Sequence, residues 1–214
     1  MVKRSLFFAV AVLGICIAFV LGTLLGWGLS TQKLSEATKI LKNTELNTES
    51  LLLEQDLVKT LGQRSCGVAQ QRINELGNQL YGLGNLLGSE KSSVELGVNY
   101  DVLKRQFHLL QIRTYTLNFQ LQQECNESSP VVLFYYAKNN TASLEQGVIL
   151  DELVKSHDAR VYAIEHNYSQ DLRFLEEYYN ITQAPSVVVN YDKVFQGLTA
   201  DDLIEESIGK GSSK

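Results

Sequence analysis

The sequence has few residues that break or cross-link a chain, and it lacks most of the usual catalytic spacings. It contains two prolines, Pro130 and Pro185, so each marks a place to inspect. It has three cysteines, Cys16, Cys66 and Cys125, and no two of them have CxxC spacing. No His or Lys lies beside Cys66 or Cys125 in the sequence to lower a thiol pKa. There is no long basic run and the net charge is −5. This argues against nucleic acid as a partner, because phosphate binding needs clustered Lys and Arg. The three histidines show no metal-like spacing: His157 and His166 are far apart, and His108 is expected at a helix surface. Asp201, Asp202, Glu205 and Glu206 read as the solvated face of a helix. No metal and no cofactor is expected. What remains is an ordinary globular mix, 44% hydrophobic and 20% charged, in a chain of 214 residues.

One segment departs from that mix. Residues 6–29 carry no charge. As a helix they would extend roughly 36 Å, against a bilayer core of about 30 Å. Trp27 lies near the far end, and Lys3 and Arg4 precede the run. The pattern predicts a single-pass signal-anchor in the cell membrane, with residues 1–5 cytoplasmic and the rest outside the cytoplasm. The membrane is then one partner. A cleaved signal peptide fits less well, since its apolar stretch is usually only about 7–15 residues. Cys16 would be a small apolar residue inside the bilayer. An exported chain permits a Cys66–Cys125 disulfide. It also makes glycosylation an option at the four N-x-S/T sites, Asn126, Asn139, Asn167 and Asn180.

Residues 30–125 show helical rather than strand periodicity. Cys66, Ala69, Ile73, Leu76, Leu80, Leu83 and Leu87 form one heptad seam, and Leu103, Phe107, Leu110, Thr114, Leu117 and Leu121 form another. A polar turn begins at Gly88 between them. The two helices should pack antiparallel, which brings Cys66 and Cys125 together at the open end, within the roughly 4.4–6.8 Å that a disulfide requires. Residues 30–61 read as a third, weaker helix that ends at Gly62. These seams also permit a homo-oligomeric coiled-coil stalk.

From Pro130 the pattern changes to β-α-β-α-β-(β)-α, a compact α/β domain over residues 130–208 with a flexible tail at 209–214. Ser169 and Thr199 are expected helix caps. The stretches VVLFYYAKNNTASLEQGVILDEL and ITQAPSVVVN resemble, respectively, the strand–turn–helix and the cis-proline segment of the thioredoxin family. The resemblance covers a little over a third of the chain. It implies a thioredoxin-like fold in which Asn140, Thr141, Ala142 and Ser143 occupy the place of the CxxC. Phe134 stands where many members have a buried carboxylate, and Ala184 and Pro185 form the cis-proline loop. No thiolate is left to carry disulfide exchange. What the resemblance leaves is peptide binding along the loop by strand addition. The expected function is a membrane-tethered, redox-inactive module that binds a protein or peptide. Tyr135, Tyr136, Tyr178 and Tyr179 are either part of such a surface or packing residues. The alternatives are a thiol–disulfide oxidoreductase using Cys66 and Cys125, or a structural coiled-coil stalk.

Overall fold

The structure, a computed structural model, describes residues 13–20, eleven helical positions between 35 and 56, and residues 66–89, 91–125 and 129–211. Two long helices come first. Helix α1 spans Cys66–Gly88. A short helix, α2 (Ser92–Leu96), and a 3-10 turn at Gly97–Asn99 reverse the chain into α3, Tyr100–Cys125. Gly97 supplies the left-handed backbone of that reversal, with φ of 53°. The leucines of both heptad seams are buried against one another, and Leu41 joins the cluster at the closed end of the hairpin. At Gly84 the helices come so close that a Cβ would lie 3.2 Å from the Phe107 ring. Cys66 and Cys125 form a disulfide at the open end, with Cα atoms 5.7 Å apart.

The sheet follows. Strand β1 (Val131–Tyr136) leads through α4 (Thr141–His157) to β2 (Arg160–Glu165). A 3-10 turn at Gln170–Leu172 and helix α5 (Arg173–Tyr178) lead to β3 (Ser186–Val189). Strand β4 (Lys193–Gln196) and helix α6 (Asp201–Gly211) complete the domain. The sheet order is β2-β1-β3-β4. Strands β1 and β2 are parallel, whereas β3 is antiparallel to both β1 and β4. The β1–β2 crossover needs a helix because parallel neighbours cannot be joined by a tight turn. The all-apolar β1 reflects burial on both faces. Leu150, Leu153, Ile204 and Ile208 from α4 and α6 cover Val132, Phe134, Val187 and Val189. On the other face, Ile112 and Tyr115 of α3 join Leu172 and Ile181 over Val131, Leu133, Tyr162 and Val188. Helix α3 therefore belongs to two cores at once, the hairpin and the sheet.

Several sequence expectations need correction. Among the described residues no helix is long and apolar enough to cross a membrane. Of the run 6–29, only residues 13–20 are described. They are helical. The transmembrane helix, the single-pass signal-anchor, the membrane as partner and the cell-membrane location with its orientation are therefore withdrawn. The remaining positions of that run, Gly62 and Asn126 lie outside the described residues. His108 is not at the surface but fully buried, because α3 has a second contact face next to its seam. Ser169 makes no capping hydrogen bond, and the Thr199 hydroxyl donates to the Gly197 carbonyl instead of capping α6.

Candidate functional site

The turn after β1 is held by its own side chains. Asn140 is the N-cap of α4 in extended backbone, and its Oδ1 accepts the Ser143 backbone N–H at 2.8 Å. This is what a short amide side chain does at a helix start, where the first N–H groups lack partners. Ser143 is buried, and its Oγ accepts the Ala137 N–H at 3.0 Å, which closes the loop onto the end of β1. The two positions that resemble the family's cysteines thus carry an amide and a hydroxyl, both committed to backbone donors. Among the described residues neither has a base to activate it, and neither can carry thiolate exchange. Thr141 is exposed and Ala142 half-buried at the surface of the turn, while Phe134 packs in the apolar layer beneath α4.

The Pro185 loop lies at the same end of the sheet. Tyr135 pairs with Ser186 across β1 and β3, so Pro185 stands one step beyond, at the level of Tyr136. The Ala184–Pro185 peptide is cis. The Pro185 carbonyl accepts the Gly197 N–H at 2.8 Å, and Ser186 Oγ donates to the Gln183 carbonyl at 2.7 Å. Ala184 is half-buried, and among the described residues neither its N–H nor its C=O is hydrogen-bonded. Gln146 on α4 accepts the Thr199 N–H at 2.7 Å. Leu198 is therefore held between the Pro185 loop and α4, and both Leu198 and Leu144 are exposed. The loop thus leaves the Ala184 backbone groups open, with the exposed Leu198 beside the strand that Pro185 binds.

A second cluster at this end of the sheet escaped the sequence analysis. The Lys104 ammonium makes a salt bridge to Glu165 at the end of β2, and both side chains are largely buried. The rings of Tyr100, Tyr136 and Tyr168 surround Lys104 Nζ at 5.6, 5.9 and 5.1 Å. Burial works against this charge, but Tyr136, the Glu165 carboxylate and Tyr100 outweigh it, and the Lys104 pKa is raised. One helical turn on, His108 packs edge-on against Tyr168 with centroids 5.2 Å apart. Burial and then the Lys104 charge lower its pKa to about 3, offset in part by the nearby Ala163 backbone. Neither ring nitrogen makes a hydrogen bond of normal geometry. Burial also raises the Tyr136 hydroxyl to about 12, against the pull of Lys104. The available signal was a stripe: Lys104, His108, Gln111 and Asn118 each follow a seam residue by one position, and all four are buried. Beside this cluster, Glu176 is buried, with Oε1 accepting the Asn167 N–H at 3.0 Å and Oε2 3.8 Å from His166 Nε2.

The remaining sequence candidates do not join these clusters. The Cys66–Cys125 disulfide packs beside Ile73, Leu117 and Leu121 at the open end of the hairpin. Tyr135 is buried, Tyr179 shares a 2.7 Å hydroxyl contact with Tyr115, and Tyr178 is exposed. Asn139, Asn167 and Asn180 are exposed turn residues with left-handed backbone, φ 56°, 57° and 51°. Among the described residues no group of three or more His, Cys, Asp or Glu side chains is placed to hold a metal ion. In comparisons with known proteins, no family model matches this chain and no curated protein matches it.

Proposed function

We propose that residues 130–208 are a thioredoxin-like module without disulfide chemistry that holds an extended segment of a protein partner beside the Asn140–Ser143 turn. The observation that carries this reading is the Ala184 backbone, unpaired next to a turn whose thiol positions are committed to structural hydrogen bonds. An open N–H and C=O one residue before a cis proline suit main-chain pairing with an added strand. Leu144 and Leu198 give apolar side chains of the segment a place to rest. The resemblance of VVLFYYAKNNTASLEQGVILDEL and ITQAPSVVVN to the thioredoxin family supports the same reading, as does the β-α-β-α-β-β-α order.

The test uses fluorescence anisotropy with labelled, carboxymethylated insulin B chain as an unfolded polypeptide, together with an insulin-reduction assay. The expected result is saturable binding without turnover, weakened about tenfold by Leu198→Asp, a change of about 1.4 kcal/mol. Disulfide turnover by the wild type, or binding indifferent to Leu198→Asp, would defeat the proposal.

A further inference from the structure

The turn that follows β1 is held from two directions. On the α4 side, Asn140 and Ser143 close it with their own hydrogen bonds, and the Ala137 N–H ties the end of β1 to Ser143. On the other side the contacts come from the helical hairpin. Tyr100, the first residue of α3, is buried, and two ammonium groups lie over its ring. Lys104 Nζ is 5.6 Å from the ring centroid and Lys138 Nζ is 5.9 Å from it. Both fall within the roughly 6 Å at which an aromatic face attracts a cation. Lys104 belongs to the hairpin, whereas Lys138 is in the turn itself, next to Ala137.

Tyr136 gives the hairpin a second hold on the same stretch. Its ring lies 5.9 Å from Lys104 Nζ and 6.3 Å from the His108 ring, both on α3, and 6.0 Å from Phe134 beneath α4. Glu165 fixes the Lys104 ammonium from the end of β2. The residues on either side of Ala137, Tyr136 and Lys138, therefore both meet side chains of α3. Tyr136 also stands level with Pro185 across the sheet. The β1–β3 ladder ends one step short of it, at Tyr135 and Ser186, which leaves the spacing between the turn and the Pro185 loop open to these side-chain contacts.

We propose that Tyr100 and Lys104 are positioning residues for the binding turn: through Lys138 and Tyr136 they set where Ala137 and the Asn140–Ser143 turn stand beside the Pro185 loop. The proposal rests on the peptide-binding reading of that loop, and it makes the hairpin a control element for it. A change on α3 alters affinity at Ala184 without touching the bound segment. Tyr100 acts through its ring face, so phenylalanine can replace it and leucine cannot.

Hydrogen exchange of the Ala137 amide in the full chain, read by NMR, tests the positioning with no peptide present. It is taken relative to the Leu133 amide in the middle of β1, which reports opening of the whole sheet. Binding of carboxymethylated insulin B chain tests the consequence. Tyr100→Leu should speed Ala137 exchange and weaken binding, each about two- to fivefold, and Tyr100→Phe should behave as the wild type. Lys138→Met, at an exposed position that tolerates the change, should speed the exchange equally. Combining it with Tyr100→Leu should add nothing, because both remove one contact. Ala137 exchange indifferent to Tyr100→Leu and Lys138→Met would overturn the proposal, as would additive effects in the double variant or a phenylalanine variant that behaves like leucine. So would faster exchange in Tyr100→Leu with peptide affinity equal to that of a binding wild type. A wild type that binds no peptide yet shows these exchange effects would defeat the binding reading and still support the hold of the hairpin on the turn.

Discussion

His108 shows at the level of one residue how much α3 is asked to do. Its ring is fully buried and both nitrogens lack a hydrogen bond of normal geometry, a cost the fold offsets elsewhere. Its pKa is lowered from 6.5 to about 3 by burial and by the Lys104 charge. Between those values the unfolded chain takes up a proton that the folded protein refuses. Stability from this group is thus fully present above pH 6.5 and is lost as pH falls towards 3. Leucine has a similar volume and no polar atoms to strand. His108→Leu should raise stability near neutral pH by about 1–3 kcal/mol. It should also flatten the loss of stability on acidification. Urea unfolding of the wild type and variant at pH values of about 7 and 4 tests this through the difference between them. Equal acid sensitivity in the two would mean that the imidazole is not excluded from protonation.

At the scale of elements, what was legible in the sequence follows the strength of each periodic signal. The heptad seams predicted the hairpin, since Leu76, Leu80, Leu83 and Leu87 can be buried together only on one face of a helix. The apolar run of β1 and the short alternating segments after it were equally plain. The second face of α3 was not, because Lys104, His108, Gln111 and Asn118 belong to residue types that usually meet solvent. Lys104 is buried because strands β1 and β2 end in Tyr136 and Glu165, which receive its ammonium, and Asn118 because Arg160 at the start of β2 donates to its Oδ1. No local pattern announces such a partner 61 residues away. The hydrogen bonds of the turn at Asn140 have no sequence signal of their own, because Ser143 reaches back to Ala137 across the loop. The hairpin also permits a direct test of its staple. The disulfide joins residues 59 apart. Its removal should cost about 4 kcal/mol on the chain-entropy estimate, with both cysteines replaced by serine. Denaturant midpoints of the oxidised wild type and of Cys66→Ser with Cys125→Ser measure this. An unchanged midpoint would show that helix packing alone closes the hairpin.

The molecule as a whole does not divide where the sequence changes character. A boundary near Pro130 separates helical from mixed periodicity, but it cuts through a single core. Ile112 and Tyr115 of α3 pack with Val131, Leu133, Tyr162 and Val188, and so α3 forms the roof of one sheet face. Arg160 of β2 adds polar ties to Asn74 of α1 and Asn118 of α3, at 3.0 and 3.3 Å. Removing the hairpin would uncover at least three large apolar side chains of the sheet, at roughly 1.5–3 kcal/mol each. That loss, about 5–9 kcal/mol, is comparable with the whole stability of a domain this size. A fragment of residues 129–214 should therefore fail to fold as a monomer, although it contains every strand. A fragment of residues 66–214, which keeps α1, the disulfide and α3, should fold cooperatively. Near-ultraviolet circular dichroism and thermal melting of the two fragments decide the matter. A sharp melting transition in the shorter fragment would mean that α3 is an attachment to the sheet and that the proposed peptide-binding end can form without it. If that fragment instead has no transition, the Lys104–Glu165 bridge and the tyrosines around it connect two halves of one folding unit, and the binding edge proposed at Ala184 is a surface that the hairpin keeps in shape.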